Sequence, residues 1–219
     1  MRVLLFGASG MVGQGVLLEC LHDSEVTETV AVVREPLQRR DDTLREIVHK
    51  NLFDLTAVQN QLTGFDACFF CIGVSSFRMK EAEYTRLTYE MTMSVARVLA
   101  PLNPQMTFVY VSGAGTDSTE KGKTMWARVK GRTENELLRL PFKAAYMFRP
   151  GAIEAMDGIQ SRTKIYNALY RFVGPLVSLL RGRFPKYLTT TRQIGCAMLQ
   201  VAEAGYAKPV LESEDINAI

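Results

Sequence analysis

The sequence has 219 residues, enough for one substantial hydrophobic core, so we expect a single domain that spans residues 1–219. Its 47% hydrophobic and 22% charged residues exclude wholesale disorder, a collagen-like structure and a disulfide-rich miniprotein. Lys and Arg number 26 against 23 Asp and Glu, and the resulting charge of +3 is too scattered to predict a nucleic-acid-binding surface. No apolar run approaches the roughly 18 residues of a membrane span.

Short apolar runs alternate with stretches of helical periodicity as far as about residue 150, a pattern typical of repeated βαβ units. The predicted strands cover residues 2–6, 28–33, 45–49, 67–72, 107–111, 144–149 and 209–212. The predicted helices cover residues 11–22, 54–62, 80–100, 125–139, 161–180 and 191–204, and the last of them follows a capping box at Thr190-x-x-Gln193. The predicted fold class is α/β, a doubly wound parallel sheet in which residues 151–208 form a small helical cap over the substrate.

A glycine-rich loop, Gly7-Ala-Ser-Gly10-Met-Val-Gly13, joins the first predicted strand to the first predicted helix. Gly7 permits a tight turn, Gly10 omits the Cβ that would block a pyrophosphate, and Gly13 lets the helix lie close to the strand. The helix N-terminus adds N–H groups and a partial positive charge that favour phosphates. Because both flanks of the motif are in place, the sequence predicts dinucleotide binding; the alternative is a plain glycine-rich βα turn.

Arg34 follows the second predicted strand, about 20 residues after the last glycine, where dinucleotide-binding folds read the adenosine ribose. An acidic residue there favours NAD, whereas the planar guanidinium of arginine suits the 2′-phosphate of NADP. Arg39 and Arg40 would add charge nearby, so we expect NADPH as the cofactor. Glu35 keeps NAD open, and Arg34 as a plain surface charge is the other alternative.

Four cysteines, Cys20, Cys68, Cys71 and Cys196, lack the paired spacing of a zinc site, so we expect no metal site. A strand over residues 67–72 points Cys68 and Cys71 to opposite faces, which predicts small buried thiols rather than a redox pair. The first predicted strand begins at residue 2 and leaves no room for a signal peptide, so we expect a cytoplasmic protein. The small-molecule substrate and the oligomeric state, a homodimer included, stay open.

Further motifs follow the glycine loop in order: Cys71-Ile-Gly73, Val111-Ser-Gly113, Val129-Lys-Gly131 with Glu134, and Phe148-Arg-Pro-Gly151. Together they resemble the atypical short-chain dehydrogenase/reductases over roughly residues 1–155, and within that family the Tat-interacting-protein-like NADPH-binding branch. The resemblance implies a Rossmann fold with a small C-terminal substrate cap, NADPH at the carboxyl ends of the strands, and a Ser-Tyr-Lys catalytic set. The residues that it implies for cofactor contact are Gly7, Ser9, Gly10, Met11, Val12, Gly13, Arg34, Asn51 (with Asp54 as the competing candidate), Cys71, Ile72, Gly73, Lys130, Pro150 and Ala152.

The chain departs from that family at Trp126, which stands where the Tyr-x-x-x-Lys motif has tyrosine. The i, i+4 spacing puts Trp126 and Lys130 on one helix face, where Lys130 can hold the ribose hydroxyls of the nicotinamide half. The indole N–H can orient a carbonyl but cannot protonate an oxyanion. With Ser112 at the end of its strand, the predicted catalytic residues are Ser112, Trp126 and Lys130. Trp126 as an apolar wall of the cleft, and Tyr110 as a substitute acid, are the alternatives.

Three functions fit these residues. The leading one is an NADPH-dependent oxidoreductase that acts on a small carbonyl or a quinone-like acceptor. A basic segment, residues 181–187 with Arg181, Arg183 and Lys186 around Phe184, would bind an anionic or aromatic acceptor. The second is an NADPH-binding regulator or redox sensor without turnover, because the acid is replaced while the binding residues are kept. The third is a nucleotide-sugar epimerase or dehydratase, against which the short stretch after the sixth strand argues.

Overall fold

The computed structural model describes residues 1–159 and 186–219, so the predicted helix over residues 161–180 and most of the basic segment lie outside the described residues. The strands of the described ranges are β1 (Arg2–Phe6), β2 (Glu28–Val33), β3 (Leu44–Val48), β4 (Ala67–Phe70), β5 (Thr107–Val111), β6 (Ala144–Arg149), β7 (Ala152–Glu154), β8 (Leu188–Thr190) and β9 (Val210–Glu212). The α-helices there are α1 (Met11–His22), α2 (Glu81–Thr85), α3 (Met91–Leu102), α4 (Met125–Leu137), α5 (Thr191–Ala204) and α6 (Ser213–Ala218).

The main sheet has seven parallel strands in the order β3-β2-β1-β4-β5-β6-β9. The chain starts in the middle, winds outward to β3 and then returns to β4 on the other side of β1. This order is doubly wound, and the predicted fold class is confirmed. In such sheets the ligand cleft lies at the carboxyl ends of the strands where the winding direction reverses, which here is between β1 and β4.

Two layers of helices cover the sheet and give it a hydrophobic core on each face. On one face, α1 and α5 pack against side chains of β1, β2 and β5 such as Val3, Ala31 and Val109. On the other, α3 and α4 pack against the alternate side chains, among them Phe6 and Phe108. Both faces of the central strands are therefore buried, which explains why these strands read as continuous apolar runs in the sequence.

Glycines allow α1 and α5 to pack in close contact. A Cβ added to Gly15 on α1 would lie 2.5 Å from Cβ of Thr191, and one added to Gly195 on α5 would lie 2.6 Å from Cγ of Glu19. The start of α5 is fixed by Thr190, whose side chain accepts a hydrogen bond of 2.9 Å from the backbone N–H of Gln193. The predicted N-terminus of this helix is thus confirmed.

Four features differ from the sequence-based expectation. The predicted helix over residues 54–62 is wrong: the segment is a loop with one 3₁₀ turn, Gln59–Gln61. The strands β7 and β8 form a separate two-stranded parallel sheet that the sequence did not predict. The short helix α6 was not predicted either. The predicted helix over residues 80–100 is present as α2 and α3 joined by a π-helical turn, Arg86–Glu90.

The cysteines are free in the described structure, and Cys68 and Cys71 pack against opposite faces of the sheet, as alternation predicted. Cys20 and Cys68 are buried, Cys71 is half-buried and Cys196 is exposed, so the prediction of buried thiols at positions 68 and 71 is confirmed for Cys68 and holds in part for Cys71. Within residues 1–159 and 186–219, no helix has the length and apolar character to cross a membrane.

Candidate cofactor and active site

The glycine loop has the geometry that its spacing predicted. Gly7 adopts a positive φ of 86°, and the N–H of Gly10 donates to its carbonyl at 2.9 Å. A Cβ on Gly7 would lie 2.8 Å from the carbonyl carbon of Cys71, and a Cβ on Gly13 would lie 2.0 Å from the carbonyl oxygen of Gly7. Any larger residue at 7 or 13 would therefore push β1, α1 and the segment after β4 apart.

The N-terminus of α1 is suited to an anionic group. Gly10 precedes the helix and provides no side chain to cap it, and the first turn contains no acidic residue. The first N–H groups of a helix have no partner within the helix, and they carry a partial positive charge. A glycine at this position also leaves space for a phosphate to approach the backbone, so the loop fits the pyrophosphate of a dinucleotide.

A cavity of about 500 Å³, here called the central cavity, opens at the carboxyl ends of β1, β4 and β5. It brings the N-terminus of α1 together with the ends of these strands and one face of α4. Its lining residues are Gly10, Met11, Val12, Cys71, Ile72, Gly73, Val111, Ser112, Gly113, Ala114, Trp126, Lys130, Pro150, Gly151 and Ile153. The three predicted catalytic residues thus share one cavity with seven predicted cofactor contacts, namely Gly10, Met11, Val12, Cys71, Ile72, Gly73 and Pro150.

A second cavity of about 600 Å³, the flanking cavity, lies beside the glycine loop and α1. Its lining includes Ser9 of the loop, Glu35 and Arg39 of the segment after β2, and Gln14 and Asp157. Among the basic residues of that segment, Arg39 lines the cavity, whereas the exposed Arg34 does not. Sequence reasoning had given Arg34 the leading role, and the pair of arginines after it could not be ranked from spacing alone.

The predicted contacts Arg34, Asn51 and Ala152 line neither of these two cavities, and all three are exposed. The Oδ1 atom of Asn51 already accepts a hydrogen bond from the N–H of Phe53 at 3.2 Å. Ala152 donates its N–H to the carbonyl of Tyr187 at 2.8 Å, because it belongs to β7. These three residues therefore lie apart from the predicted cofactor contacts that line the two cavities.

The segment from residue 49 to 56, where Asn51 and Asp54 compete for the adenine contact, is braced by its own polar groups. His49 Nε2 lies 2.8 Å from the carbonyl oxygen of Asn51 and 2.7 Å from that of Asp54. Hydrogen bonds from the side chain of Thr56 and from its N–H, the latter at 3.0 Å, lower the pKa of the Asp54 carboxyl. His49 thus has a structural role in the loop.

Lys130 is held at the floor of the central cavity by β5. Its Nζ donates to the carbonyl oxygen of Ser112 at 2.7 Å and lies 5.7 Å from the centre of the Tyr110 ring. Burial lowers the pKa of Lys130 to about 8, although the negative charge of Glu134 opposes this shift. Lys130 can therefore exchange a proton near neutral pH and still has N–H groups to offer a ligand.

Ser112 is buried at the end of β5, and its hydroxyl lies 2.8 Å from that of Thr116. Thr116 donates its own hydrogen to the carbonyl of Gly113 at 2.7 Å, so Ser112 is the donor in the bond between the two hydroxyls. The oxygen of Ser112 keeps its acceptor capacity, but its hydrogen is engaged. Thr116 was not identified from the sequence, because nothing in its spacing distinguishes it from an ordinary loop threonine.

Trp126 and Lys130 lie on one face of α4, as the i, i+4 spacing predicted, since both line the central cavity. The indole packs beside Gly115, where an added Cβ would be 3.6 Å from its ring. Tyr110, the alternative acid, is 1% exposed and packs in the core against Phe70, with the two rings tilted by 41°. Burial raises the pKa of Tyr110 well above its ordinary value, so its hydroxyl does not serve as an acid at neutral pH.

A buried ion pair fixes α4 against the sheet one turn after Lys130. The carboxylate of Glu134, 1% exposed, accepts two hydrogen bonds from Nε of Arg149 on β6, at 3.0 and 3.2 Å, and a further one from its Nη2. Arg149 also donates to the hydroxyl of Ser118 at 2.6 Å. Gly131 permits the close approach of this helix, because a Cβ there would lie 1.8 Å from the carbonyl oxygen of Asp117.

Solved structures similar to this chain include proteins with bound NAD. The Bordetella bronchiseptica enzyme WbmF in complex with NAD⁺ superposes with a TM-score of 0.66 at 13% identity, covering 99% of this chain and 76% of that one. A short-chain dehydrogenase/reductase superfamily protein from Agrobacterium tumefaciens with bound NAD gives 0.64 at 15% identity, with 96% and 76% covered. UDP-glucose 4-epimerase from Thermotoga maritima with UDP-glucose gives 0.66 at 12%, with 100% and 81% covered.

The chain shares its doubly wound Rossmann fold with these structures, one of which is a short-chain dehydrogenase/reductase superfamily protein. The resemblance to atypical members of that superfamily, noted from the motifs, is confirmed at the level of the fold. No protein-family model matches the chain.

Among curated proteins, the chain is similar to protein FMP52, mitochondrial, of Debaryomyces hansenii, with 24% identity over 204 residues, 92% of this chain and 88% of the relative. Protein FMP52, mitochondrial, of Kluyveromyces lactis is 24% identical over 159 residues, 70% of this chain and 67% of the relative. Both relatives carry mitochondrial names, so the expectation of a cytoplasmic location is wrong. The argument from the early first strand addressed secretion and could not separate the cytoplasm from other compartments.

Proposed function

We propose that this protein is an NADPH-dependent oxidoreductase that reduces a small carbonyl or quinone-like acceptor. The observation that carries the proposal is the central cavity, in which the uncapped N-terminus of α1 faces the same space as Ser112, Trp126 and Lys130. The similarity to NAD-binding solved structures supports a nicotinamide dinucleotide as the cofactor.

The chain's own residues have separate tasks in this proposal. The backbone N–H groups at Gly10, Met11 and Val12 hold the pyrophosphate, and Lys130 donates to the ribose hydroxyls next to the nicotinamide. The cofactor supplies a hydride to the acceptor. Trp126 forms the wall against which a planar acceptor packs, and the described part of the predicted cap, residues 151–159 and 186–208, lies on the acceptor side. Ile153 of β7 lines the central cavity, which supports this place for the cap.

The preference for NADPH over NADH rests on arginines after β2. Arg39 shares the flanking cavity with Ser9, where a 2′-phosphate would meet a guanidinium and a hydroxyl, and the exposed Arg34 adds positive charge nearby. Glu35 in the same cavity would instead favour the 2′-hydroxyl of NADH.

Calorimetric titration of both cofactors tests this preference. We expect NADPH to bind more tightly, and Arg39→Ala and Arg34→Asp each to weaken NADPH by about tenfold or more while sparing NADH. Arg97→Ala is the matched control, because Arg97 on α3 is exposed and lies outside the described cavity linings. Equal affinities of the native protein for the two cofactors would contradict the assignment.

Turnover tests the oxidoreductase itself. We expect the purified protein to oxidise NADPH faster than buffer with at least one class among aldehydes, ketones and quinones, as followed by nicotinamide absorbance. Tight NADPH binding without turnover on the whole panel would instead favour an NADPH-binding regulator, which the replacement of tyrosine by Trp126 suggests. A nucleotide-sugar epimerase is the third candidate, because UDP-glucose 4-epimerase shares the fold; interconversion of UDP-glucose and UDP-galactose would identify it.

A further inference from the structure

The family resemblance would place a tyrosine one turn before Lys130 as the proton donor, but Trp126 stands there. The group that protonates the acceptor oxygen is therefore still to be assigned. We propose that Lys130 itself donates the proton to the acceptor oxygen, in addition to holding the ribose; the proposal rests on the oxidoreductase function proposed above. Its basis is the position of Nζ on the cavity lining, together with the lack of another competent acid among the described lining residues.

The other polar side chains of the described cavity lining are poor proton donors for the acceptor oxygen. Trp126 offers an N–H that does not ionise. The hydrogen of Ser112 is engaged with Thr116, which in turn donates to Gly113. Burial raises the pKa of Cys71 far above neutrality, so this thiol retains its proton.

Lys130 is poised to act because its surroundings disfavour a permanent charge. The groups around it are the Tyr110 ring and the Ser112 carbonyl from β5, Cys71 after β4, Glu134 on its own helix, and the positive end of α1. Only Glu134 carries a negative charge among these, and Arg149 compensates that charge directly. The ammonium is thus held by one carbonyl and one aromatic face, and burial lowers the pKa of Lys130 to about 8.

The step balances without a further reactant. A bound nicotinamide would supply a hydride, which would form a C–H bond at the carbonyl carbon while the C=O π electrons move to the oxygen. That oxygen takes a proton from the Lys130 ammonium, either directly or through a ribose hydroxyl between them. The products are the alcohol, the oxidised cofactor and a neutral amine, which regains a proton from water before the next turnover.

Two pH measurements on the native protein test the proposal. Lysine side chains labelled with ¹³C at Cε report protonation by NMR, and the Lys130 resonance is assigned by its loss in Lys130→Arg. In the cofactor-free protein we expect this resonance to titrate near pH 8. We also expect kcat/KM for carbonyl reduction to fall above the same pH, because the amine form lacks the proton.

The variant Lys130→Arg separates proton donation from ribose binding. Arginine keeps the charge and the N–H donors but does not release a proton in this pH range. We expect NADPH affinity, measured by calorimetry, to stay within about tenfold of the native value, and the rate of carbonyl reduction to fall by about 10²–10⁴-fold. Adding Trp126→Tyr to this variant should restore part of the rate, because tyrosine provides a new acid one turn away. Lys123→Arg, an exposed site outside the described cavity linings, is the matched control.

The possible outcomes distinguish the proton-donor role of Lys130 from the proposed oxidoreductase function on which it rests. If the native protein turns over and Lys130→Arg is equally fast, water or another residue provides the proton, and the role of Lys130 is overturned while the oxidoreductase stands. If Lys130 titrates at the ordinary lysine value, the inference fails as well. If the native protein binds NADPH without any turnover, the oxidoreductase fails, and the proton-donor role fails with it.

Discussion

Lys130 has a consequence for stability as well as for chemistry. Its pKa is about 8 in the folded protein against 10.5 ordinarily, so between these values the unfolded chain binds more protons. The buried ammonium therefore costs stability fully below pH 8, and this cost disappears as the pH rises to the unfolded value. Replacing Lys130 by Met removes the cost at every pH.

We expect the stability of the native protein relative to Lys130→Met to increase by about 2–3 kcal/mol between pH 7 and pH 10. Urea denaturation of both proteins at the two pH values measures this change. Lys123→Met, at an exposed site, should leave the difference from the native protein almost independent of pH. A native protein that instead loses stability relative to Lys130→Met on going to pH 10 would have the opposite sign from the one that burial requires.

The ion pair of Glu134 and Arg149 offers a second test at a single residue. Glu134→Gln leaves the guanidinium of Arg149, whose side chain is 11% exposed, without its buried counter-charge, so we expect a loss of about 3 kcal/mol in unfolding free energy. Glu136→Gln on the same helix breaks an exposed pair with Arg139 and should cost less than about 1 kcal/mol. Equal losses in chemical denaturation would mean that burial of the first pair has no energetic effect.

At the level of elements, the sequence predicted the central strands well because each is buried on both faces. β1, β2, β5 and β6 have the predicted bounds, and the glycine loop follows β1 as expected. The predicted helix over residues 54–62 failed because Leu55, Val58 and Leu62, which suggested a helical face, are buried by a loop. A spacing pattern records which residues are buried and does not by itself fix the backbone that buries them.

The small sheet of β7 and β8 could not be predicted for a different reason. Each strand has three residues, too few for an alternation pattern, and its partner is distant in the sequence. In the candidate site, the sequence placed Ser112, Trp126 and Lys130 together correctly, because strand ends and helix faces follow from periodicity. It missed Thr116 and gave the leading role to Arg34 rather than to Arg39, which lines the flanking cavity, since loop side chains are positioned by tertiary contacts.

The close contact between α1 and α5 leads to a prediction about the stability of the protein. Alanine normally stabilises a helix relative to glycine by about 1 kcal/mol. In Gly15→Ala, however, the new Cβ would lie 2.5 Å from Cβ and 2.8 Å from the backbone oxygen of Thr191, so we expect a net loss of about 1–3 kcal/mol.

Thermal or urea unfolding of Gly15→Ala measures the loss, with Gly73→Ala as the control, since no atom lies within 4 Å of a Cβ there. Gly195→Ala should be milder than Gly15→Ala, because its nearest neighbour is the flexible side chain of Glu19. A Gly15→Ala protein as stable as the native one would show that the two helices can separate at no cost.

At the scale of the whole molecule, the predicted site residues concentrate at one end of the main sheet. Both cavities that contain predicted site residues open near the carboxyl ends of the strands, around the reversal point between β1 and β4. The fold class, and with it this location of the cleft, followed from the order of elements in the sequence. The acceptor does not follow from it, because one Rossmann scaffold serves many chemistries.

The pairing of β7 with β8 also fixes the two ends of the segment that joins these strands. The chain leaves the cleft through Ala152–Glu154 and comes back through Leu188–Thr190, and the register of the two strands holds exit and return side by side. Because Ile153 of β7 lines the central cavity, both ends of the segment between the two strands are held beside Ser112, Trp126 and Lys130. The glycine loop and α4 belong to other parts of the chain, so we expect substitutions in that segment to leave their backbone unchanged.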